Sequence, residues 1–135
     1  MTEKVWIAIK GVRYMDGQQE KVDETGLGDY YKRNGKHYII WRYDGNTAKR
    51  IKITDKSMTV AETNGDNAMD FEKGRESRTL YGIDGGKLVL EIHTREFCLH
   101  EEENLLETEV EYSLYLGCSH ISDNHIKVAI GSREA

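Results

Sequence analysis

Proline is absent from this 135-residue sequence, which therefore has neither a Pro-rich linker nor a polyproline recognition segment. Only two cysteines are present, Cys98 and Cys118, and residues 1–7 lack the long apolar run of a signal peptide. The longest clean apolar run, residues 38–41, is far too short to cross a membrane. We therefore expect a cytoplasmic protein whose thiols are reduced.

Basic residues are fewer than acidic ones, 19 against 24, and the formal net charge is −5. Duplex DNA and RNA select proteins with a basic face, so this balance argues against a nucleic-acid partner. A local exception is the basic group Lys49, Arg50, Lys52 and Lys56, which we interpret as the solvated face of a strand. The sequence predicts neither a nucleic-acid nor a membrane partner.

Alternation of apolar and polar residues, the period of a β-strand, runs through most of the chain. Ile51 and Ile53 are expected to point inward, for example, with Arg50 and Lys52 pointing outward. Asn34-Gly35 is the clearest turn signal, because a type I′ hairpin turn needs positive φ at both central residues. No stretch of about twelve residues shows a helical period.

The pattern predicts a chain made of strands and short turns. Expected strands in the central part are residues 36–43, 47–54, 57–63, 68–72, 75–83, 87–95 and a separate short strand at 97–100. We predict one domain over residues 1–135. Its fold class is all-β, an antiparallel up-and-down barrel of about 8–10 strands, because an open flat sheet of that size exposes long unpaired edges. A tight sandwich meets the same need.

Residues 25–40 carry a resemblance to a known family; they read TGLGDYYKRNGKHYII. This run is similar to the YwiB-like family of small bacterial proteins of unknown function. The later part is similar too, with Gly86-Lys87-Leu88, the strand EVEYSL at 109–114, a glycine turn and a final amphipathic strand. The resemblance implies a calycin-like β-barrel, the general shape of lipocalins. It carries over no catalytic or binding residue.

A zinc site is the first chemical possibility, since Cys98-x-His100 and Cys118-x-His120 repeat one spacing. Two such pairs form a Cys₂His₂ site when all four ligand atoms lie near the metal. If residues 97–102 pair with the next strand, the two pairs are separated by about 25 Å. We therefore predict ordinary thiols and no metal site.

Catalytic signals are weak. Cys98 with a histidine forms a nucleophile–base pair on paper, but a strand cysteine between Phe97 and Leu99 is more typical of packing. No dinucleotide-binding, Walker or G-x-S-x-G pattern is present. We predict no catalytic residue and no cofactor, and a protein that is not an enzyme.

An aromatic cluster on the predicted hairpin gives the candidate ligand-binding residues: Tyr38, Trp41, Arg42 and Tyr43. The rings offer a stacking wall in a barrel mouth, and Arg42 offers a charge for an acidic ligand. Cross-strand aromatic packing explains the same cluster without a ligand.

Two functions remain open from the sequence. The first is a non-enzymatic binding module whose barrel holds a small apolar or acidic ligand. The alternative is a protein–protein interaction or accessory domain with a filled barrel and no ligand.

Overall fold

The computed structural model describes residues 3–43, 46–62, 68–83 and 85–133. These residues form ten strands joined by short turns. The strands are β1 (Lys4–Met15), β2 (Gln18–Arg33), β3 (Lys36–Tyr43), β4 (Asn46–Ile53), β5 (Ser57–Glu62), β6 (Ala68–Glu72), β7 (Glu76–Ile83), β8 (Gly86–Glu102), β9 (Leu105–Leu116) and β10 (Ser119–Ser132).

All ten strands belong to one antiparallel sheet in the order β6-β5-β4-β3-β2-β1-β10-β9-β8-β7. The sheet curls so that its two edge strands meet, and β6 packs against β7 and β8. At this seam the Ser77 hydroxyl donates a hydrogen bond to the Asp70 carbonyl at 2.8 Å. The predicted all-β antiparallel barrel is confirmed, and it is nearly closed.

Strand alternation places one face of every strand inside the barrel. Val5 and Ile7 on β1 face the core, and Ile51 and Ile53 on β4 do the same, as predicted. One end of the barrel is filled by side chains no more than 2% exposed: Val5, Ile53, Met58, Phe71, Leu106 and Ile130. We call this the closed end.

A polar chain that runs from buried Tyr30 and His37 to half-exposed Glu101 completes the closed end. The Tyr30 hydroxyl lies 2.8 Å from His37 Nδ1, and His37 Nε2 lies 3.1 Å from a carboxylate oxygen of Glu101. A ring that carries its proton on Nε2 donates to Glu101 and accepts from Tyr30, so both ring nitrogens are satisfied. This histidine therefore joins β2, β3 and β8 and has a structural explanation.

The hairpin turn at Asn34-Gly35 has the backbone that its sequence predicts, and the turn at Asp16-Gly17 has the same form. Asn34 and Gly35 have φ of 53° and 76°, and Asp16 and Gly17 have φ of 50° and 72°. Positive φ at both central positions matches a type I′ turn, whose twist suits the flanking strands. The hairpin signals in the sequence were sufficient here.

The prediction of two strands at 87–95 and 97–100 is wrong. Residues Gly86–Glu102 form one strand, with a register shift between Thr94 and Glu96. The extra residue, Arg95, moves the inward positions from Ile92 and Thr94 to Phe97. A bulge changes the alternation by one residue, and in the sequence that change looked like a break between strands.

Candidate functional site

A cavity of about 320 Å³ occupies the end of the barrel opposite the closed end. Side chains from seven strands surround it, which places it inside the barrel and not on its surface. Met15 and Leu80, each 38% exposed, stand at its mouth. The lining residues are Arg13, Met15, Val60, Met69, Thr79, Leu80, Leu90, Tyr112, Leu114, Ile121 and Ser122.

The floor of the cavity is aromatic. The Tyr112 ring is 5% exposed and packs against Phe71, with ring centroids 4.7 Å apart. Phe71 belongs to the packed closed end, so these two rings separate the cavity from the filled half of the core. Burial raises the pKa of Tyr112, and the nearby Arg13 charge opposes this effect only in part. The phenol is therefore a neutral hydrogen-bond donor at physiological pH.

Arg13 is the charged residue among the described residues of the lining. Its Nε donates a hydrogen bond to Asn124 Oδ1 at 3.2 Å. Asn124 is 3% exposed, and its amide nitrogen donates to the Ser122 hydroxyl at 3.0 Å and, over a longer 3.5 Å, to the Tyr112 carbonyl. Arg13 is therefore held by a buried amide that is itself fixed by two neighbours.

Two threonines on the same inner wall have unpartnered hydroxyls. Thr79 Oγ1 and Thr94 Oγ1 are buried and make no hydrogen bond within the part of the chain that the structure describes. Thr79 lines the cavity, and Thr94 faces Tyr112 across β8 and β9. Most buried polar groups in proteins are paired, so leaving these two hydroxyls unpaired lowers the free energy of unfolding.

The structure divides the sequence-predicted binding residues between the two faces of β3. Trp41 is 5% exposed and points inward, where its ring lies under the Lys49 ammonium, 5.2 Å from the centroid. Tyr38 and Arg42 point outward, and Arg42 Nε pairs with Asp29 Oδ2 at 3.0 Å. The side chain of Tyr43 lies outside the described residues. Tyr38, Trp41 and Arg42 therefore do not form one wall, and none of them lines the cavity.

Tyr38 packs against another tyrosine on the outer face of the barrel and not at its mouth. Its ring stacks on Tyr31 across the β2–β3 hairpin, with centroids 4.9 Å apart and planes 10° from parallel. A groove of about 490 Å³ runs beside this pair on the outer face, near Arg50 and Lys52. Part of its floor is contributed by Ile39 and Ile51, whose side chains point into the core, so this groove lies on the outer surface of the sheet.

The Cys–His pairs considered for zinc lie apart. Cys98 stands opposite Glu109 on β9, whereas Cys118 lies in the turn between β9 and β10. Both cysteines are free and exposed. Neither pair forms a cluster of ligand atoms. Among the described residues, such a cluster is formed by Glu76, Glu91 and His93 on the outer face, whose ligand atoms lie within 4.8 Å of one another.

Sequence reasoning missed the polar residues of the cavity. Arg13 follows Ile7 and Ile9 in the inward phase of β1, and Asn124 precedes Ile126 and Val128 in the inward phase of β10. A polar residue at an inward-facing position of each strand was the signal that the sequence offered. That the two residues meet could not be predicted, because β1 and β10 are far apart in sequence and neither strand alone gives the register between them.

Fold and site together define a class: a small, nearly closed antiparallel β-barrel with a mostly apolar cavity at one end. The chain belongs to the family described as "Domain of unknown function (DUF1934)", which matches residues 7–128. Its structure is similar to the crystal structure of the ywiB protein from Bacillus subtilis, with a TM-score of 0.81 and 18% identity, covering 98% of this chain and 93% of that one. The family resemblance seen in the sequence is confirmed.

These comparisons show the family and the fold. No curated protein matches the sequence. Among the described residues, no helix has the length and apolar character needed to cross a membrane.

Proposed function

We propose that this protein is a non-enzymatic binding module that holds a small, mostly apolar molecule in the cavity at the open end of the barrel. The cavity itself is the observation that carries the proposal. Its volume of about 320 Å³ falls within the range of small-molecule sites, and apolar side chains with a few polar groups are the usual lining of such sites.

The described residues of the lining include no nucleophile–base or acid–base pair, which supports a binding role. Arg13 and Tyr112 are the titratable side chains among the described lining residues, and neither type of side chain is a general base at neutral pH. His37, the buried histidine, is at the closed end and is already paired with Tyr30 and Glu101.

The proposal also covers partner class and compartment. A small molecule is the partner, and neither a nucleic acid nor a membrane is required, which agrees with the net charge of −5. We place the protein in the cytoplasm because Cys98 and Cys118 are both free and exposed, a state that a reducing compartment preserves.

Two neighbouring residues of β8 provide the test. Leu90 lines the cavity, whereas Val89 is 46% exposed on the outer face. Isothermal titration with 1-octanol should show saturable binding to the wild-type protein and to Val89→Phe. Leu90→Phe should remove it, because the larger ring fills the space.

Circular dichroism and thermal unfolding establish that both variants are folded. Saturable binding that survives in folded Leu90→Phe places the octanol elsewhere and rules out this cavity. The same conclusion follows if the wild-type protein binds neither 1-octanol nor octanoate, the carboxylate of the same chain length.

A second candidate function, docking of an acidic protein segment, is favoured by one specific surface. Trp6, Leu27 and Tyr31 are 38%, 53% and 46% exposed on the outer face of β1 and β2. Arg50 and Lys52 lie farther along this face and form no ion pair within the described chain. Exposed rings beside unpaired cations suit a partner that combines carboxylates with apolar side chains.

A synthetic peptide of alternating Glu and Phe is a suitable probe for this second function. It should bind wild-type protein more tightly than the double variant Arg50→Gln/Lys52→Gln, and less tightly as salt is raised. Equal affinity for both proteins removes the second candidate.

A further inference from the structure

Among the described residues that line the cavity, one is a cation and none is a carboxylate. Arg13 is half-buried on the inner face of β1. Glu20 stands opposite it in the β1–β2 register but is exposed and forms no ion pair with it. A charge that borders an apolar space without a counter-ion is costly, and a bound anion removes much of that cost.

The orientation of the guanidinium is set by the protein. Because Nε is engaged with Asn124 Oδ1, the two terminal nitrogens are the ones left without a partner in the described chain. These two nitrogens form the planar fork that matches a carboxylate through two parallel hydrogen bonds. The buried amide of Asn124 thus prepares the fork before any ligand arrives.

Tyr112 supplies a second donor near the same charge. Its phenol is neutral, and it lies close enough to Arg13 for the guanidinium charge to affect its pKa. A neutral phenol donates a hydrogen bond to an anion but offers nothing to a cation beyond a weak acceptor. Arg13 and Tyr112 therefore select the same sign of ligand charge.

We propose that the cavity binds a small monocarboxylate, with its carboxylate on the Arg13 guanidinium and its apolar body between the aliphatic side chains of the barrel. This inference rests on the proposed function and specifies its ligand class. At about 30 Å³ per water, a cavity of this volume holds roughly ten waters, which is space for about ten non-hydrogen atoms. Octanoate has this size, and 1-octanol is its neutral counterpart.

The test compares octanoate, 1-octanol and octylamine by isothermal titration at neutral pH. Wild-type protein should bind octanoate about tenfold or more tightly than octanol, and octylamine most weakly, since hydrogen bonds to a charged partner are the strong ones. Arg13→Met should reduce octanoate binding to the level of octanol while leaving octanol within about twofold. Arg13→Lys keeps the charge and should retain part of the preference.

Arg42→Met is the matched control, because Arg42 is on the outer face and paired with Asp29. It should leave the preference for octanoate unchanged. Equal binding of octanoate and octanol by wild-type protein overturns the monocarboxylate inference and leaves the proposed function standing. Loss of the preference in Arg42→Met but not in Arg13→Met also overturns it. Failure of both octanoate and octanol to bind is a failure of the proposed function itself.

Discussion

Asn124 Oδ1 accepts a hydrogen bond from Arg13 Nε at 3.2 Å, and this contact joins two strands that are 111 residues apart in sequence. Asn124 is buried and donates in turn to Ser122 and to the Tyr112 carbonyl. The side chain therefore has no freedom to turn away from the guanidinium. Arg13 is aimed into the cavity because β10 holds it there.

Asn124→Asp is the first prediction. An aspartate at this position places a carboxylate on Arg13 from within the protein, so a ligand carboxylate no longer finds an uncompensated charge. Octanoate affinity should fall about tenfold while octanol affinity stays within about twofold, as measured by titration calorimetry. Unchanged octanoate binding in a folded Asn124→Asp protein contradicts the role given to this pair.

Thr79→Val is the second prediction. The Thr79 hydroxyl is buried without a partner, and valine has nearly the same shape without the polar group. The free energy of unfolding of the unliganded protein should rise by about 1 kcal/mol, measured by urea denaturation. Thr59→Val is the comparison, because the Thr59 hydroxyl donates to Asp70 at 2.6 Å and its loss should not stabilise. If Thr79→Val has a lower free energy of unfolding than the wild-type protein, the Thr79 hydroxyl makes a stabilising hydrogen bond and the prediction is wrong.

Gly26→Ala is the third prediction. A Cβ at position 26 would lie 2.2 Å from Nε1 of Trp41, which is well inside contact distance. Trp41 is buried, so the indole has little room to move, and the free energy of unfolding should fall by about 1–3 kcal/mol. Thr25→Ala, on the exposed face of the same strand, should change it by less than about 0.5 kcal/mol. Equal stability of both variants contradicts the close packing of Trp41 on this glycine.

The fourth prediction concerns acid stability. Asp123 accepts a hydrogen bond from the Ser113 hydroxyl at 2.6 Å and a second from His120 Nε2 at 2.9 Å, and the pKa of its carboxyl is lowered, chiefly by Ser113. A carboxyl with a lowered folded-state pKa contributes stability above its unfolded value of about 3.9, and this contribution is lost as pH falls through the folded value.

Ser113→Ala removes the main cause and should raise the pKa of Asp123 in an NMR titration of the side-chain carboxyl carbons. The difference in unfolding free energy between wild type and Ser113→Ala should narrow as pH falls from about 5 to about 3. An unchanged Asp123 pKa, or a difference that widens toward low pH, contradicts this assignment.

The sequence predicted local features well where neighbouring residues determine them. The positive φ of Asn34 and Gly35 follows from the residue types, and the inward placement of Ile51 and Ile53 follows from alternation next to a basic residue. These features need no knowledge of which strands pair. The barrel followed because so many strands on short turns leave few other ways to cover their edges.

The face of β3 was not predictable in the same way. Both faces of Lys36–Tyr43 carry large side chains, with Ile39 and Trp41 on one and Tyr38 and Ile40 on the other. Hydrophobicity alone gives no preference between them. Burial is decided by the partner strands, since Gly26 and Gly28 of β2 leave space on the inner face for Trp41 and Ile7.

The bulge in β8 likewise made the inward-facing residues of that strand impossible to predict from its sequence alone. One extra residue, Arg95, changes which side chains face inward, and its position depends on the pairing with β9. The candidate site was missed for the same kind of reason, because Arg13 and Asn124 meet only through the register of β1 with β10.

Nuclear Overhauser contacts between octanoate and the methyl groups of the full-length protein test the central claim most directly. With selectively methyl-labelled protein, we predict contacts from the octanoate chain to Leu90, Leu114 and Ile121, and none to Leu27 or Ile40 on the outer face. Contacts to the first set place the ligand inside the barrel. Contacts confined to the outer face, or no contacts at saturating octanoate, contradict a binding function for this cavity.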